Sequence, residues 1–269
     1  MKSSLAAAIL SIIFFHSCEN IDVIQTKIEY KEKIVVSSEL VAGSLFSGVT
    51  FTRTLPIGEP YDIKKAELVN VNSYLRINFV KIVPLHYQAD GVYKPASGLL
   101  VESGDVYELF GNVNGKSFYS KTIIPEIPSI NNAVLETDYV QASITPREGE
   151  VYGGKWFVYS PVSKDTLAVA YKFSSIIEPS ELNTSGNLTV RTSEIPQLYL
   201  SSVYSGMICI EVCAFDKAYM NYYLTRSNQN VVTNAFTQGG DAVAWNVYGD
   251  DAIGLFIGIG KNSIKAARP

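Results

Sequence analysis

Histidine is nearly missing from this 269-residue chain, which holds two, His16 and His86. His16 falls in an N-terminal segment that reads as removable, so a Ser-His-Asp relay would have to be built on His86. No Gly-x-Ser-x-Gly elbow accompanies it. A zinc centre would have to combine His86 with distant cysteines that lack a tight ligand-pair spacing, and no glycine-rich phosphate loop occurs. The expectation is therefore no catalytic residue, no bound metal and no cofactor. Cysteine is scarce too, at three. Cys209 and Cys213 lie four apart in Met207–Phe215, where Ile208, Ile210 and Val212 favour a strand. In a strand that spacing spans about 13 Å, against the roughly 7 Å that a disulfide tolerates. Both read as small buried apolar residues. Positive charge is in deficit, with 22 basic against 26 acidic residues and a formal net charge of −4. That balance argues against nucleic acid, whose binding depends on lysine and arginine neutralising phosphates.

Long apolar runs are absent as well, apart from Leu5–Phe15, which follows the positive Lys2. This run is too short for the roughly 20 residues of a membrane-spanning helix. A positive start, a short apolar core and the small Ser17 make residues 1–17 a secretory signal peptide. The next residue, Cys18, makes the segment resemble the lipobox of bacterial lipoproteins, although Phe15 and His16 stand where a small aliphatic pair is usual. The resemblance implies that Cys18 is lipidated and becomes the first residue of the mature chain; ordinary secretion is the plainer alternative. Membrane attachment would then run through acyl chains on Cys18, and more than one chain gives a firm anchor. Residues 18–32 read as a polar tether. Glu19 and Asp22 within it resemble the surface-export signal of Bacteroidota lipoproteins.

The remainder is long enough for two domains of about 100–150 residues, and its pattern is mainly β. Short runs separated by turn residues read as strands at Ile34–Val36, Val49–Arg53, Ala66–Val71 and Leu75–Val83, then around Asp90-Gly91, at Val106–Phe110 and at Ser117–Ile124. Asn114-Gly115 is the strongest hairpin signal. These predict an immunoglobulin- or fibronectin-like β-sandwich over 33–128. Pro125 and Pro128 make an extended connector, and a second β-rich domain follows over 132–269. Its clearest strands are Tyr152–Ser160, Thr166–Phe173, Leu188–Thr192 and Met207–Phe215. Tyr219, Met220, Tyr223 and Leu224 recur at helical spacing, and Asp216 is placed to cap, which predicts one helix over about 216–229. Val243–Val247 and the glycine-rich Ile253–Ile259 close the chain as strands.

The blocks Gly104–Leu109, Asn114–Pro125 and Trp245–Phe256, with the helix between the last two, resemble a two-domain lipoprotein family of Bacteroidota known only as a domain of unknown function. Members are often encoded beside TonB-dependent outer-membrane receptors. The resemblance implies an outer-membrane lipoprotein, on the periplasmic or cell-surface side, with such a receptor as partner; it carries no active-site residues. The expected function is non-enzymatic, as a binding or accessory subunit of a TonB-dependent nutrient-uptake complex. The alternatives are a surface glycan- or peptide-acting hydrolase that uses paired carboxylates, and a structural or adhesive lipoprotein. Aromatic residues are plentiful, at 17 Tyr and 12 Phe. Tyrosine joins an apolar face to a hydrogen-bonding tip, useful against sugars or protein surfaces and equally common in sandwich cores. Tyr222, Trp245 and the Asp250-Asp251 turn are the candidate contact residues. That turn could help to hold calcium, or be simply solvated. Asp165-Thr166-Leu167 resembles the short O-glycosylation motif of Bacteroidota exported proteins, which marks Thr166. Cys18→Ala is expected to abolish palmitate labelling and to move the protein out of the membrane fraction; unchanged membrane retention of that variant contradicts the lipoprotein reading.

Overall fold

A computed structural model describes residues 30–56, 58–181, 186–201, 206–227 and 243–267. The expected signal peptide, Cys18 and most of the expected tether lie outside the described residues. The fold is mainly β, as the sequence pattern predicts. The first strand, β1 (Ile34–Val41), turns Ile34, Val36 and Leu40 to a core and Val35, Ser37 and Glu39 the other way. It pairs antiparallel with β2 (Val49–Arg53), which buries Val49 and Phe51.

Two segments depart from the strands that their sequence pattern predicts. Ala66–Val71 is not a strand. Asp62 accepts a hydrogen bond from the Lys64 backbone N–H (2.9 Å) and starts a four-residue helix, α1 (Ile63–Ala66). Leu68 and Val71 are still buried, but their backbone is satisfied by a tyrosine. The Tyr93 hydroxyl donates to the Leu68 carbonyl (2.8 Å) and accepts from the Val71 N–H (2.9 Å). The neighbouring β2 reaches only the start of the segment, where the Leu68 N–H donates to the Phe51 carbonyl (3.1 Å), and the buried hydroxyl serves the groups beyond. Nor is Leu75–Val83 a single strand: β3 (Asn72–Ile77) and β4 (Lys81–Ala89) form a hairpin. The loop is Asn78–Val80: Asn78 and Phe79 sit at φ +50° and +64°, and the Val80 N–H donates to the Ile77 carbonyl (3.1 Å) to close a tight turn. The Asn78 side chain donates to Asp105 (2.7 Å) and accepts from the Val106 N–H (2.9 Å), which fixes the turn. Phe79 is exposed in place of the usual glycine.

The other hairpins fall where their turn residues predict. Asp90-Gly91 joins β4 to β5 (Val92–Lys94), and Asn114-Gly115 joins β6 (Val106–Val113) to β7 (Lys116–Ile123), with all four residues at positive φ. A first core is enclosed by β1, β2 and β5 on one side and β3, β6 and β7 on the other, with Phe51, Leu75, Tyr93, Tyr107 and Leu109 almost fully buried. After Pro125–Pro128 come β8 (Ser129–Leu135), β9 (Val140–Thr145), β10 (Glu150–Tyr159), β11 (Thr166–Val169), β12 (Ile176–Ile177) and β13 (Leu188–Arg191). A one-turn helix, α2 (Gln197–Leu200), precedes β14 (Met207–Asp216). A second core packs β8, β9 and β13, a three-stranded sheet, against β10 and β14 through Val140, Ile144, Trp156, Val190, Ile210 and Val212.

The predicted helix is α3 (Ala218–Ser227), and Asp216 caps it by accepting from the Ala218 N–H (3.0 Å). Residues 228 and 229 of that prediction lie outside the described set. Within Val243–Val247 only Val247 is strand, opening the short β15 (Val247–Gly249) that pairs with β7. Asn246 explains the break: its side chain donates to the Phe256 carbonyl (2.6 Å) and accepts from the Phe256 N–H (2.9 Å), so this residue serves as a bracket.

The last strand, β16 (Ala252–Lys265), is longer than the glycine-rich run suggests. Its first eight residues pair in parallel with β1, and Ile259 to Lys265 pair antiparallel with β14. Phe256 enters the first core and Ala266, just beyond the strand, enters the second. From Glu32 onward the chain is accordingly one compact unit. The glycines of β16 have a steric purpose. A Cβ on Gly258 would stand 2.5 Å from the Ile123 carbonyl oxygen, and one on Gly260 2.1 Å from that of Glu126. The connector between the cores lies directly against the strand at these two residues.

Two glycines separate strain from collision. Gly115 has φ +78° and open space around it, so Gly115→Ala should cost about 1–2 kcal/mol, the cost of a left-handed backbone. Gly254 has φ +133° and a Cβ would stand 1.9 Å from the Val36 carbonyl oxygen, so Gly254→Ala should cost more than about 4 kcal/mol. Denaturant unfolding midpoints check both, and equal losses would contradict the register of β1 with β16.

Candidate functional site

One side of the sheet made by β10, β14, β16 and β1 faces the second core and the connector; the other carries α3. Strand alternation decides which residues reach the α3 side. From β14 they are Glu211, Cys213 and Phe215, while Ile210, Val212 and Ala214 point into the second core. From β16 they are Leu255, Ile257, Ile259 and Lys261, from β10 Lys155, and from β1 Ser37 and Glu39. The register places Lys155 opposite Glu211, Cys213 between Gly153 and Lys261, and Phe215 between Val151 and Ile259. A charged row therefore lies beside an apolar one.

Helix α3 provides one wall of a cleft over this floor. Tyr219, Tyr222, Tyr223 and Arg226 follow i, i+3, i+4, i+7 spacing, which sets them on one helical face, and all four line the cleft. The segment Tyr171–Ser174 provides the other wall. The Tyr223 hydroxyl donates to the Ser174 carbonyl at 3.3 Å and links the two walls. An aromatic chain runs beneath: Phe173 meets Phe215 edge-on at 5.4 Å, and Phe215 stacks on Tyr219 at 4.1 Å. Tyr219 then contacts Tyr222 at 5.8 Å. Such pairs add about 0.5–1.5 kcal/mol beyond burial and fix the helix to the sheet. The cleft has a volume of about 850 Å³.

Charge within the cleft is mostly positive. Lys155, Lys172, Lys261 and Arg226 line it with Glu39 and Glu211. Among the described residues no carboxylate lies within 4 Å of any of the four basic groups. Lys155 Nζ sits 4.3 Å from the Phe173 ring centre, and the Arg226 guanidinium 5.7 Å from that of Tyr222. Burial pushes the Cys213 thiol up to about 12, with Glu211 adding to the rise while Lys261 and Lys155 oppose it. Burial likewise raises the Tyr219 hydroxyl to about 12, helped by Tyr222 and Glu39 and opposed by Arg226.

The residues marked from the sequence are divided by the structure. Tyr222 lines the cleft, and Trp245 packs against it with ring centres 5.4 Å apart, bracing it from behind without lining the cleft itself. Asp250 and Asp251 are elsewhere, in the turn between β15 and β16. Asp251 has φ +54° and its carboxylate lies 3.2 Å from Lys116 Nζ, and the Asp250 N–H donates to the Ser117 carbonyl (3.0 Å). Among the described residues no three His, Cys, Asp or Glu side chains are grouped to hold a metal ion. Thr166 is the exposed first residue of β11, an edge strand. Cys209 and Cys213 are both free and buried, on the same side of β14. His86 is exposed on β4 opposite Lys94. Sequence reasoning missed Lys155, Lys172, Lys261, Arg226 and Tyr171. The signal available was the alternation of β14, with Glu211 and Cys213 set between fully apolar neighbours, but it did not say which strands adjoin.

No protein-family model matches this chain, and comparison with curated proteins finds no significant relative.

The thiol supplies a test of the cleft floor. Cys213 in the native protein should alkylate at pH 8 at least about 100-fold more slowly than in the unfolded chain, because the thiolate is the reacting form. Under denaturing, non-reducing conditions both cysteines should react without prior reduction. Since folding raises the pKa of Cys213 and Tyr219, the unfolded chain loses protons first. Their contribution to stability is full below about pH 9 and is lost as pH rises towards about 12. Fast native alkylation of Cys213 would contradict its burial beneath the cleft.

Proposed function

We propose that this chain is a non-enzymatic binding lipoprotein of the outer membrane, anchored through Cys18 and acting as an accessory subunit of a TonB-dependent uptake complex. The observation that carries the binding part is the cleft, an open trough with aromatic walls and charged groups free to meet a ligand. The anchor rests on Lys2–Cys18, and the receptor as partner rests on the family resemblance in Gly104–Leu109, Asn114–Pro125 and Trp245–Phe256. A protein confined to a membrane surface with its partner gains effective concentration, so modest contacts suffice.

The hydrolase reading can be weighed on geometry. Glu39 and Glu211 are the carboxylates that line the cleft. Glu39 pairs with Ile257 and Glu211 with Ser263, six residues apart along β16 and on opposite sides of it. At about 3.3 Å per residue and 4.8 Å per strand, their backbones are about 22 Å apart. Carboxylate pairs that cleave glycosidic bonds stand roughly 5–9.5 Å apart. Backbones that far apart do not bring these two carboxyl groups to that spacing, which supports the binding reading.

The test is crosslinking in intact cells followed by purification of the tagged chain. A receptor should be recovered, and Tyr222→Ala, Trp245→Ala and Asp250→Ala should be screened for the contact, with recovery expected to fall several-fold for at least one. A lone chain that turns over a glycan or peptide would overturn the proposal.

A further inference from the structure

We infer that the cleft between α3 and the sheet is a binding site for an acidic saccharide, a pyranose oligomer bearing carboxylate or sulfate groups. The inference rests on the reading of the chain as a binding protein and names what it binds.

The sign of charge is the first argument. The chain as a whole has a formal net charge of −4, yet its cleft is lined by four basic and two acidic side chains. A local reversal of sign in a concave site concentrates ligands of opposite charge. Placement is the second. Lys155, opposite Glu211, and Lys261, opposite Cys213, rise from the floor, Lys172 stands on one wall and Arg226 on the other, so anionic groups meet donors from three directions. Charge-assisted hydrogen bonds to carboxylate or sulfate are about twice as strong as neutral ones. A single small anion would leave most of this surface wet, whereas the cleft volume of about 850 Å³ lies within the range of about 300–1,000 Å³ that holds larger molecules.

The walls select for sugar. Tyr171 is 98 % exposed and presents its ring to solvent beside the cleft, and Tyr222 and Tyr223 are half-buried. The Tyr171 face suits the apolar C–H side of a pyranose, and the hydroxyls of Tyr222 and Ser37 suit its polar rim. Nucleotide phosphates would call for free backbone N–H groups at a helix start. The start of α3 is already closed by the Asp216 carboxylate, which accepts from Ala218 N–H and also from Thr122 Oγ1 and Ile123 N–H.

Calorimetry on the full Cys18→Ala chain, purified without its anchor, tests this. The probes are an oligogalacturonate, a sulfated galactan oligosaccharide, the matching neutral galactan oligosaccharide, and ATP. One acidic saccharide should bind at least about 10-fold more tightly than the neutral one and than ATP, and which one binds distinguishes carboxylate from sulfate. Raising salt from about 0.05 to 0.5 M should weaken that binding several-fold. The Lys155→Ala/Lys261→Ala double variant should lose at least about 10-fold in affinity with an unchanged unfolding midpoint, and Tyr171→Ala should lose less. Equal binding of the neutral oligosaccharide, equal binding of ATP, or no binding of either acidic probe overturns the inference. Receptor capture in cells is a separate readout, so a captured receptor with no saccharide bound would remove this ligand and leave the accessory role standing.

Discussion

Strand β16 pairs in parallel with β1 over Ile34–Val41 and antiparallel with β14 over Cys209–Phe215, and the two hydrophobic cores meet through that double pairing. Each half of the strand satisfies its backbone on a different part of the chain. Neither ladder can slip by one residue without exchanging its two faces, because strand side chains alternate with period two. A slip would bring Phe256 out of the first core and Ile257 out from beneath α3. The register of one strand therefore sets both the interior and the floor of the cleft.

Polar brackets hold that register. Asn246 closes both backbone groups of Phe256, and Thr122 Oγ1 accepts from the Gly258 N–H at 2.8 Å while donating to Asp216 at 3.0 Å. Asp216 in turn caps α3 and accepts from the Ile123 N–H at 2.7 Å. One carboxylate thus joins the end of β7 to the start of the helix that walls the cleft. Buried hydrogen bonds of this kind contribute about 1 kcal/mol each when complete and cost more when one partner is removed. The cleft depends on these residues because it is the outer side of the strands that the brackets align.

Much of the β pattern was legible locally. Turn residues with positive φ announced Asp90-Gly91 and Asn114-Gly115, and tyrosines at helical spacing behind Asp216 announced α3. The failures were also local in cause. Leu75–Val83 alternates through a hairpin because Asn78-Phe79 carries no glycine, and Ala66–Val71 alternates in burial because Tyr93 supplies the partner that a strand would have needed. Tyr222, marked from the sequence, lines the cleft, and Trp245 is its neighbour only once the chain is folded. Lys155, Lys261 and Arg226 come from three elements and Lys172 from a loop, and nothing in their sequence spacing brings them together. Strand order does that, through long-range pairings that periodicity does not encode.

The claim that β16 unites the fold is open to one direct measurement, native-state hydrogen exchange across a denaturant series. Amides of β16 from Leu255 to Lys261 should exchange only through global unfolding, merging with those of Leu109 in the first core and Ile210 in the second into a single isotherm. Two isotherms, with Ile210 still protected after Leu109 has opened and β16 divided between them, would mean that the cores unfold independently and that the strand does not couple them.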